Sequence, residues 1–237
     1  MHFGIIAAGE GSRLAAEGIN QPKPLVPLNG TPMIERLIDI MVNCHAESVS
    51  VIINEQYTAV GDHLRSLRLP VPLNIVVRTT PSSMHSFYHL SQIMPEGKIC
   101  LTTVDTIFRP DDFAAYVSAF ETDTEHDGLW AVTPFIDDEK PLYVEVDSNL
   151  RITAFRDRLP ESAGDRPVYV SGGIYAMRSE RALPVLEQCI EQGQSRMRNF
   201  QRALVAAGLN LAAYPIEKII DVDHAADIAT AEAFLNS

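Results

Sequence analysis

The first half of the chain alternates between continuous apolar runs and segments in which apolar residues recur every three or four positions. Buried strands are predicted at 2–8, 48–54, 73–78 and 98–105. Amphipathic helices are predicted at 33–44, 57–67 and 83–94. Because continuous apolar strands separated by helices are typical of parallel sheets covered on both faces, this half predicts an α/β layer structure.

The second half has a different pattern, in which short polar connections join its first strands. Those strands are predicted at 128–135, 142–146, 150–155 and 168–177, with a surface loop at 159–167. Their spacing favours antiparallel pairing over crossover connections. Helices at 180–193 and 197–208, a strand at 211–216 and a helix at 225–235 follow. We therefore expect one α/β domain over 1–237, with a small antiparallel lobe.

Composition and charge narrow the classes of partner. With 19 Lys and Arg against 31 Asp and Glu, the formal net charge is -12. Nucleic acids and anionic membranes reward positive surfaces, so neither is expected as a partner, whereas a small anion needs only a few local cations. The three cysteines have no zinc or disulfide spacing, and no apolar run reaches 18 residues. A cytoplasmic location is the expectation, and a homo-oligomer is compatible with the sequence.

Two glycines follow the first predicted strand. Gly9 and Gly11 stand where parallel sheets bind ligands, at the carboxyl end of a strand. Glycines there let backbone N–H groups approach a polyanion, although a plain strand-to-helix turn would also use them. Leu14 occupies the third glycine position of a dinucleotide-binding loop, and the P-loop pattern does not occur.

Two cations close to this turn favour a phosphate ligand. Arg13 follows the glycines directly, and Lys23 lies in a Pro-Lys-Pro-Leu segment. A guanidinium fork and an ammonium both bind phosphoryl oxygens well. The segment resembles the nucleotidyltransferases that make nucleotide sugars, which carry G-x-G-[TS]-R-L and then P-K-x-L. The matching residues are Gly9, Gly11, Ser12, Arg13, Leu14, Pro22, Lys23 and Leu25.

The resemblance implies a Rossmann-like, three-layer α/β/α fold of the glycosyltransferase-A type with a mixed, mostly parallel sheet. It implies a nucleotide-binding half at 1–110 and an acceptor-binding half at 111–237. Arg13 and Lys23 would be the catalytic cations, with Lys23 also contacting the acceptor. The implied nucleotide-binding residues are Ala7, Ala8, Gly9, Glu10, Gly11, Ser12, Arg13, Ser82, Ser83 and Ser86.

The resemblance also implies a Mg²⁺ site. Asp105 follows the fourth predicted strand, where this family places a metal-binding aspartate. The second carboxylate is expected from Asp221 or Asp223, which alternate along an extended segment and so point to the same side. Asp221 is slightly preferred, and Asp223 could instead cap the last helix.

The implied acceptor-binding residues come from two further segments. Asp157 and Arg158 resemble an acid and a cation that contact sugar hydroxyls and phosphate, although an exposed ion-paired turn is equally compatible. Ser171, Gly172 and Gly173 resemble a strand that lines the acceptor pocket, and a tight bulge would also use these glycines.

The expected activity is Mg²⁺-dependent transfer of a nucleotidyl group from a nucleoside triphosphate to a sugar 1-phosphate, with release of pyrophosphate. Two alternatives stay open. One is a cytidylyltransferase acting on phosphocholine or a polyol phosphate, which the serine-rich segment 79–90 favours modestly. The other is a non-catalytic protein that senses nucleotides or sugar phosphates. Arg13, Lys23 and Asp105 argue against the sensor, because sensing needs no metal–phosphate site.

Overall fold

A computed structural model describes residues 1–136, 140–159 and 167–237. The helices in these ranges are α1 (Ser12–Ala16), α2 (Met33–Asn43), α3 (Thr58–Ser66), α4 (Ser83–Ser91), α5 (Pro110–Thr122), α6 (Ser179–Glu191), α7 (Met197–Ala206) and α8 (Ala225–Leu235). A short 3₁₀ turn spans Lys23–Leu25. The described helices are too short or too polar to cross a membrane.

The strands form one large sheet and two small ribbons. They are β1 (His2–Ala7), β2 (Pro27–Leu28), β3 (Thr31–Pro32), β4 (Ser48–Ile53), β5 (Leu73–Val77), β6 (Lys98–Thr103), β7 (Thr106–Ile107), β8 (Gly128–Thr133), β9 (Tyr143–Val146), β10 (Ile152–Arg156), β11 (Tyr169–Arg178), β12 (Leu211–Pro215) and β13 (Ile220–Asp221). The large sheet has nine strands in the order β10-β9-β11-β6-β1-β4-β5, with β8 pairing β11 and β12.

The directions of the strands agree with the two patterns of the sequence. Strands β1, β4, β5 and β6 are parallel, and β11 runs antiparallel to β6, β8 and β9. Strand β12 then pairs β8 in parallel, after the α6–α7 crossover. The ribbon β13–β7 brings the segment before the last helix beside the end of β6. The mixed, mostly parallel sheet expected from the sequence is confirmed.

Helices cover both faces of the sheet, and each face has its own apolar core. Phe3 and Ile5 of β1 pack on one side with residues of α2, α5 and α8. Ile6 packs on the other side with Phe87 of α4 and with residues of α6 and α7. This division follows from the alternation of side chains along a strand. It produces the expected three-layer α/β/α arrangement.

Within the described residues the structure contains two helices, α1 and α5, that the sequence analysis did not predict. Helix α5 begins with Pro110 and carries Asp111 and Asp112 in its first turn. Proline at the first helical position and acidic residues near the helix amino end both favour this start. Its buried residues are Phe113, Tyr116, Val117 and Phe120. The loop predicted at 159–167 lies almost entirely outside the described residues.

Candidate active site

The main cleft lies at the carboxyl ends of β1, β4 and β6, where an open parallel sheet binds its ligands. It has a volume of about 480 Å³. Its lining residues are Ile6, Ala7, Ala8, Gly9, Glu10, Gly11, Ser12, Arg13, Lys23, Pro24, Asn54, Thr79, Thr80, Pro81, Ser82, Ser83, Ser86, Thr103, Val104, Asp105 and Asp223. The cleft therefore gathers every residue assigned above to nucleotide binding, together with Lys23 and two of the three candidate metal ligands.

The glycine turn brings the first segment close to Lys23. Gly11 has a φ of 61° and precedes α1, and a Cβ at this position would lie 3.0 Å from the Lys23 Cβ. Glycine is therefore required here both by the backbone conformation and by the close approach. A Cβ at Gly9 would meet nothing within 4 Å. The open side of the turn is the space that an anionic group would fill.

Two cations and two carboxylates form one cluster in the cleft. The buried Lys23 Nζ donates to Asp105 Oδ2 at 2.5 Å and to Asp223 Oδ1 at 2.8 Å. Arg13 Nη1 donates to Asp223 Oδ2 at 2.6 Å. The four formal charges cancel, so a bound polyanion would have to replace one or both carboxylates as the partner of these cations.

The cluster shifts the pKa values of Lys23 and Asp223 in favour of their charged forms. Burial by itself lowers the pKa of the Lys23 ammonium, but attraction by Asp105 and Asp223 outweighs this effect, and the net pKa is raised. Burial also raises the pKa of Asp223, but the charges and hydrogen bonds of Lys23 and Arg13 prevail and lower it. Lys23 and Asp223 therefore each stabilise the ionised form of the other.

The two alternating aspartates line different cavities. Asp223 lines the main cleft, whereas Asp221 lines a separate, smaller cavity. Strand β13 ends at Asp221, so Asp223 lies just beyond the strand. Asp223, and not Asp221, is the carboxylate that the structure brings to Lys23 and Asp105.

The carboxylates of the cleft fit a Mg²⁺ ion in their chemistry. Magnesium is usually held by one or two carboxylates together with substrate phosphates and water, rather than by an all-protein cage. Asp105 and Asp223 provide such a pair, because both contact the same ammonium. No group of three or more metal-binding side chains occurs among the described residues.

The serine-rich segment forms the opposite wall of the main cleft. Ser83 begins α4, and the Ser82 hydroxyl lies 2.9 Å from His85 Nδ1. Ser86 is buried, and its hydroxyl lies 2.6 Å from that of Thr80. Hydroxyl groups both donate and accept, so this wall can contact the polar edge of a nucleobase.

Asn54 is a cleft residue that the sequence analysis did not assign. Its side chain is buried at the end of β4 and donates from Nδ2 to the Ala8 carbonyl at 3.1 Å. Its Oδ1 accepts from the Thr79 hydroxyl at 3.1 Å and from the Gln56 N–H at 3.0 Å. Asn54 therefore ties the glycine turn to the serine-rich wall. The only sequence feature that could have indicated Asn54 is its place as a polar residue directly after the apolar strand β4.

The side pocket contains part of the predicted acceptor set. It is lined by Thr133, Phe135, Pro141, Val170, Ser171, Gly172, Ile219 and Asp221. Gly173 lies beside it with a φ of 75°, and a Cβ there would lie 2.7 Å from the Thr106 hydroxyl. Thus Ser171, Gly172 and Gly173 occur together, close to the end of β6.

Asp157 and Arg158 line neither the main cleft nor the side pocket. Asp157 instead pairs with two arginines of α7, at 2.6 Å from Arg198 Nη1 and 2.7 Å from Arg202 Nη2. These pairs lower the pKa of the Asp157 carboxyl, the hydrogen bond from Arg202 contributing most. In the structure, Asp157 is therefore an ion-paired residue, which is one of the two interpretations that the sequence left open.

The fold is that of the nucleotidyltransferases. The structure of an inositol-1-phosphate CTP transferase from T. maritima superposes with a TM-score of 0.78 at 18% identity, covering 100% of this chain and 96% of that one. Residues 4–207 match the family model described as the MobA-like NTP transferase domain. The chain belongs to this family, and the resemblance deduced from its glycine turn is confirmed.

Two characterised relatives show similarity at the level of sequence. One is the 2-aminoethylphosphonate cytidylyltransferase of Lancefieldella rimae, 29% identical over 110 residues, or 44% of this chain and 42% of that protein. The other is the CMP-5'-(3-aminopropyl)phosphonate synthase of Streptomyces rubellomurinus, 25% identical over 195 residues, or 78% of this chain and 30% of that protein. The matched regions thus span less than half of either relative.

Proposed function

We propose that the protein is a cytidylyltransferase that joins CMP, taken from CTP, to the phosphate or phosphonate group of a small acceptor. The observation that carries this proposal is the cluster of Arg13, Lys23, Asp105 and Asp223 beside the glycine turn. A plain structural turn needs no such set of charges, whereas a triphosphate needs cations, backbone donors and a metal.

The choice of CTP and of a phosphonate-type acceptor is supported by two of the sequence relatives. One is named for 2-aminoethylphosphonate, and the other for a CMP adduct of an aminopropylphosphonate. The sugar 1-phosphate expected from the glycine-turn motif is the second candidate. It is less well supported, because Asp157 contacts Arg198 and Arg202 and lies outside both pockets.

The reaction requires no protein nucleophile. An anionic oxygen of the acceptor attacks the α-phosphorus of CTP and forms a new P–O bond. The bond from the α-phosphorus to the oxygen that bridges to the β-phosphorus breaks, and pyrophosphate leaves with the electron pair. Because the attacking group is already anionic, catalysis consists of positioning and of neutralising charge.

Each residue of the cluster has a role in this scheme. The amides of the turn and Arg13 would hold the triphosphate and the departing pyrophosphate. Lys23 would neutralise the α-phosphate and bring the acceptor oxygen to it. Asp105 and Asp223 would hold Mg²⁺, which would supply positive charge to offset that of the phosphates. Partial exposure of Arg13 and Asp223 leaves their ion pair free to open as the substrate enters.

The test is pyrophosphate release by the full chain with Mg²⁺, in which CTP, UTP, GTP, ATP and dTTP are each combined with phosphonate, phosphocholine, polyol phosphate and sugar 1-phosphate acceptors. We expect turnover with CTP and a phosphonate or non-sugar phosphate, and loss of turnover on chelation of the metal. Turnover confined to sugar 1-phosphates would favour the second candidate. Nucleotide binding without turnover on any acceptor would contradict the proposal and favour a sensor.

A further inference from the structure

A second large cavity, which we call the back cavity, lies between the start of α5 and the C-terminal half of α8. Its volume is about 650 Å³, compared with about 480 Å³ for the main cleft. None of the described residues that line it also lines the main cleft. Because sites for small molecules usually measure about 300–1,000 Å³, the back cavity is large enough to bind one.

Two cations of the back cavity lie over the same aromatic ring. Arg109 Cζ is 5.0 Å and Lys218 Nζ is 5.4 Å from the centroid of Phe234. Among the described residues, no carboxylate forms an ion pair with either cation, and Arg109 Nη2 donates to the Ser237 hydroxyl at 2.8 Å. By contrast, Lys98 donates to three backbone carbonyls. In a chain of net charge -12, two cations that share a ring without a carboxylate indicate an anionic ligand.

The donors of these two cations suit a phosphate group. A guanidinium carries five N–H donors, of which Ser237 accepts from one, and an ammonium carries three. A phosphate monoester has three terminal oxygens that accept hydrogen bonds and nearly two negative charges at pH 7. Arginine and lysine both bind phosphoryl oxygens through charge-assisted hydrogen bonds. Arg109 and Lys218 can therefore bind one phosphate group together.

The other polar residues of the back cavity suit hydroxyl groups. Asp112, Glu217 and Thr230 line the same space as the two cations. An ionised carboxylate accepts hydrogen bonds from hydroxyl groups, whereas it repels a second anionic group. The cavity is also much larger than a phosphate ion. These features together favour a ligand that carries one phosphate group on a hydroxylated carbon skeleton.

The β7–β13 ribbon separates the back cavity from the main cleft. The two strands are antiparallel, with Thr106 beside Asp221. Asp105 precedes β7 and Asp223 follows β13, so both carboxylates of the main cleft lie at one end of the ribbon. Arg109 and Lys218 flank the same two strands at the other end. The two sites can therefore be occupied at the same time.

We propose that the back cavity is a second binding site, which takes a phosphate monoester with hydroxyl groups and is separate from the nucleotide site. Arg109 and Lys218 bind the phosphate beside the ring of Phe234, and Asp112 and Glu217 accept hydrogen bonds from the hydroxyl groups. This inference does not depend on the reaction proposed for the main cleft.

The experiment locates a bound probe without relying on turnover. Glycerol 3-phosphate, inorganic phosphate and glycerol are each titrated into the ¹⁵N-labelled full chain at pH 7, and amide shifts are followed by NMR. We expect glycerol 3-phosphate to shift the amides of Arg109, Lys218 and residues 230–237, inorganic phosphate to do so with lower affinity, and glycerol to leave them unchanged. Additional shifts at Gly9 and Gly11 report any binding in the main cleft.

Variants then assign the binding to the two cations. Arg109→Gln combined with Lys218→Gln is expected to weaken the binding of glycerol 3-phosphate at residues 230–237 by about 10-fold or more, on the scale of lost hydrogen bonds to a charged group. Arg65→Gln combined with Arg68→Gln removes the same charge from two exposed arginines near the end of α3 and is the matched control. It should keep the wild-type affinity.

Four results would overturn the second site. Shifts confined to the glycine turn would place the probe in the main cleft alone, and absence of shifts with glycerol 3-phosphate would show that the back cavity does not bind it. Wild-type affinity in the Arg109 and Lys218 variant would remove these residues from the site. Equal weakening in the control would show only a general attraction of anions to positive charge. A failure of the proposed reaction changes none of these readouts.

Discussion

The buried ammonium of Lys23 is positioned by two neighbouring carboxylates and by the space that glycine leaves at position 11. Its Nζ lies between Asp105 and Asp223, and its Cβ packs against Gly11. Removing Asp105 or Asp223 would leave the buried charge of Lys23 only partly compensated. The ammonium is therefore held in one position before any substrate arrives, as a group that acts by orientation must be.

Substitution of the cations should reduce catalysis strongly. Lys23→Ala and Arg13→Ala are each expected to lower kcat/KM by about 10²-fold or more, because each removes one oriented charge donor from the transferred phosphates. Steady-state pyrophosphate release measures the effect. Lys98→Ala, which removes an ammonium bound to backbone carbonyls at the end of α5, is the control and should keep wild-type kcat/KM. Unchanged turnover in either cleft variant would remove that residue from the site.

Asp157 should behave as a structural residue. Its pKa is lowered by Arg202 and Arg198, so its contribution to stability is fully present above its unfolded value of 3.8 and is lost as pH falls through the lower, folded value. Asp157→Asn should therefore lower Tm at pH 7, and the difference from wild type should shrink below pH 3.8. A large loss of kcat/KM with unchanged Tm would instead restore Asp157 to the acceptor site.

At the scale of elements, the sequence predicts most boundaries to within three residues. The apolar pattern alone gives β4 and α2 well, because β4 is buried along its whole length and the apolar residues of α2 recur on one helical face. Helix α5 was missed although Phe113, Tyr116, Val117 and Phe120 recur at the i, i+3, i+4 and i+7 spacing of one helical face, so its signal was present in the sequence. Strand β11 lies in the sheet between β6 and β9, and its pairing with β6 joins residues far apart in sequence, which local sequence patterns do not predict.

Sequence alone could predict only those residues of the candidate site that belong to a local motif. Gly9, Gly11, Arg13 and Lys23 form such a motif, and the structure gathers them in one cleft. Asn54 contributes through contacts with two segments that are far away in sequence, and no motif marks it. Asp221 and Asp223 could not be told apart from the sequence, and the structure shows that Asp223 is the one that contacts Lys23.

The link between the glycine turn and the serine-rich wall can be tested through Asn54. In Asn54→Asp the donor to the Ala8 carbonyl becomes an oxygen, so the hydrogen bond is replaced by repulsion in a buried place. We expect KM for CTP to rise by about 10-fold, with a smaller change in kcat and weaker discrimination between CTP and UTP. Asn210→Asp, which loses a similar hydrogen bond to the Glu125 carbonyl, is the control. Equal effects of the two variants would contradict a role specific to the cleft.

At the scale of the molecule, two apolar cores share one sheet. Strand β11 lies between β6 and β9, and β13 pairs β7, so the first 110 residues and the remainder interleave. Neither core can be lost without exposing one face of the same strands. The prediction of a single domain over 1–237 follows from this arrangement and can be tested by unfolding.

Trp130 is the only tryptophan of the chain and is fully buried in the core on the side of α6 and α7. Its fluorescence reports on that core, whereas far-UV circular dichroism reports on all elements. We expect the two signals to change together in urea, in one transition with a common midpoint. Transitions with separate midpoints would show that the two cores unfold independently and would contradict the single domain.

The pairing of Arg13 and Lys23 with Asp223 has a consequence for how the protein is made. These partners are separated by 210 and 200 positions. After the ribosome has made Arg13 and Lys23, it must still make nearly all of the remaining chain before Asp223 can pair with them. Until residue 223 is made, the nascent chain carries both cations of the cluster without Asp223. A prematurely ended polypeptide would retain these cations and lack one of the two carboxylates that we propose as Mg²⁺ ligands.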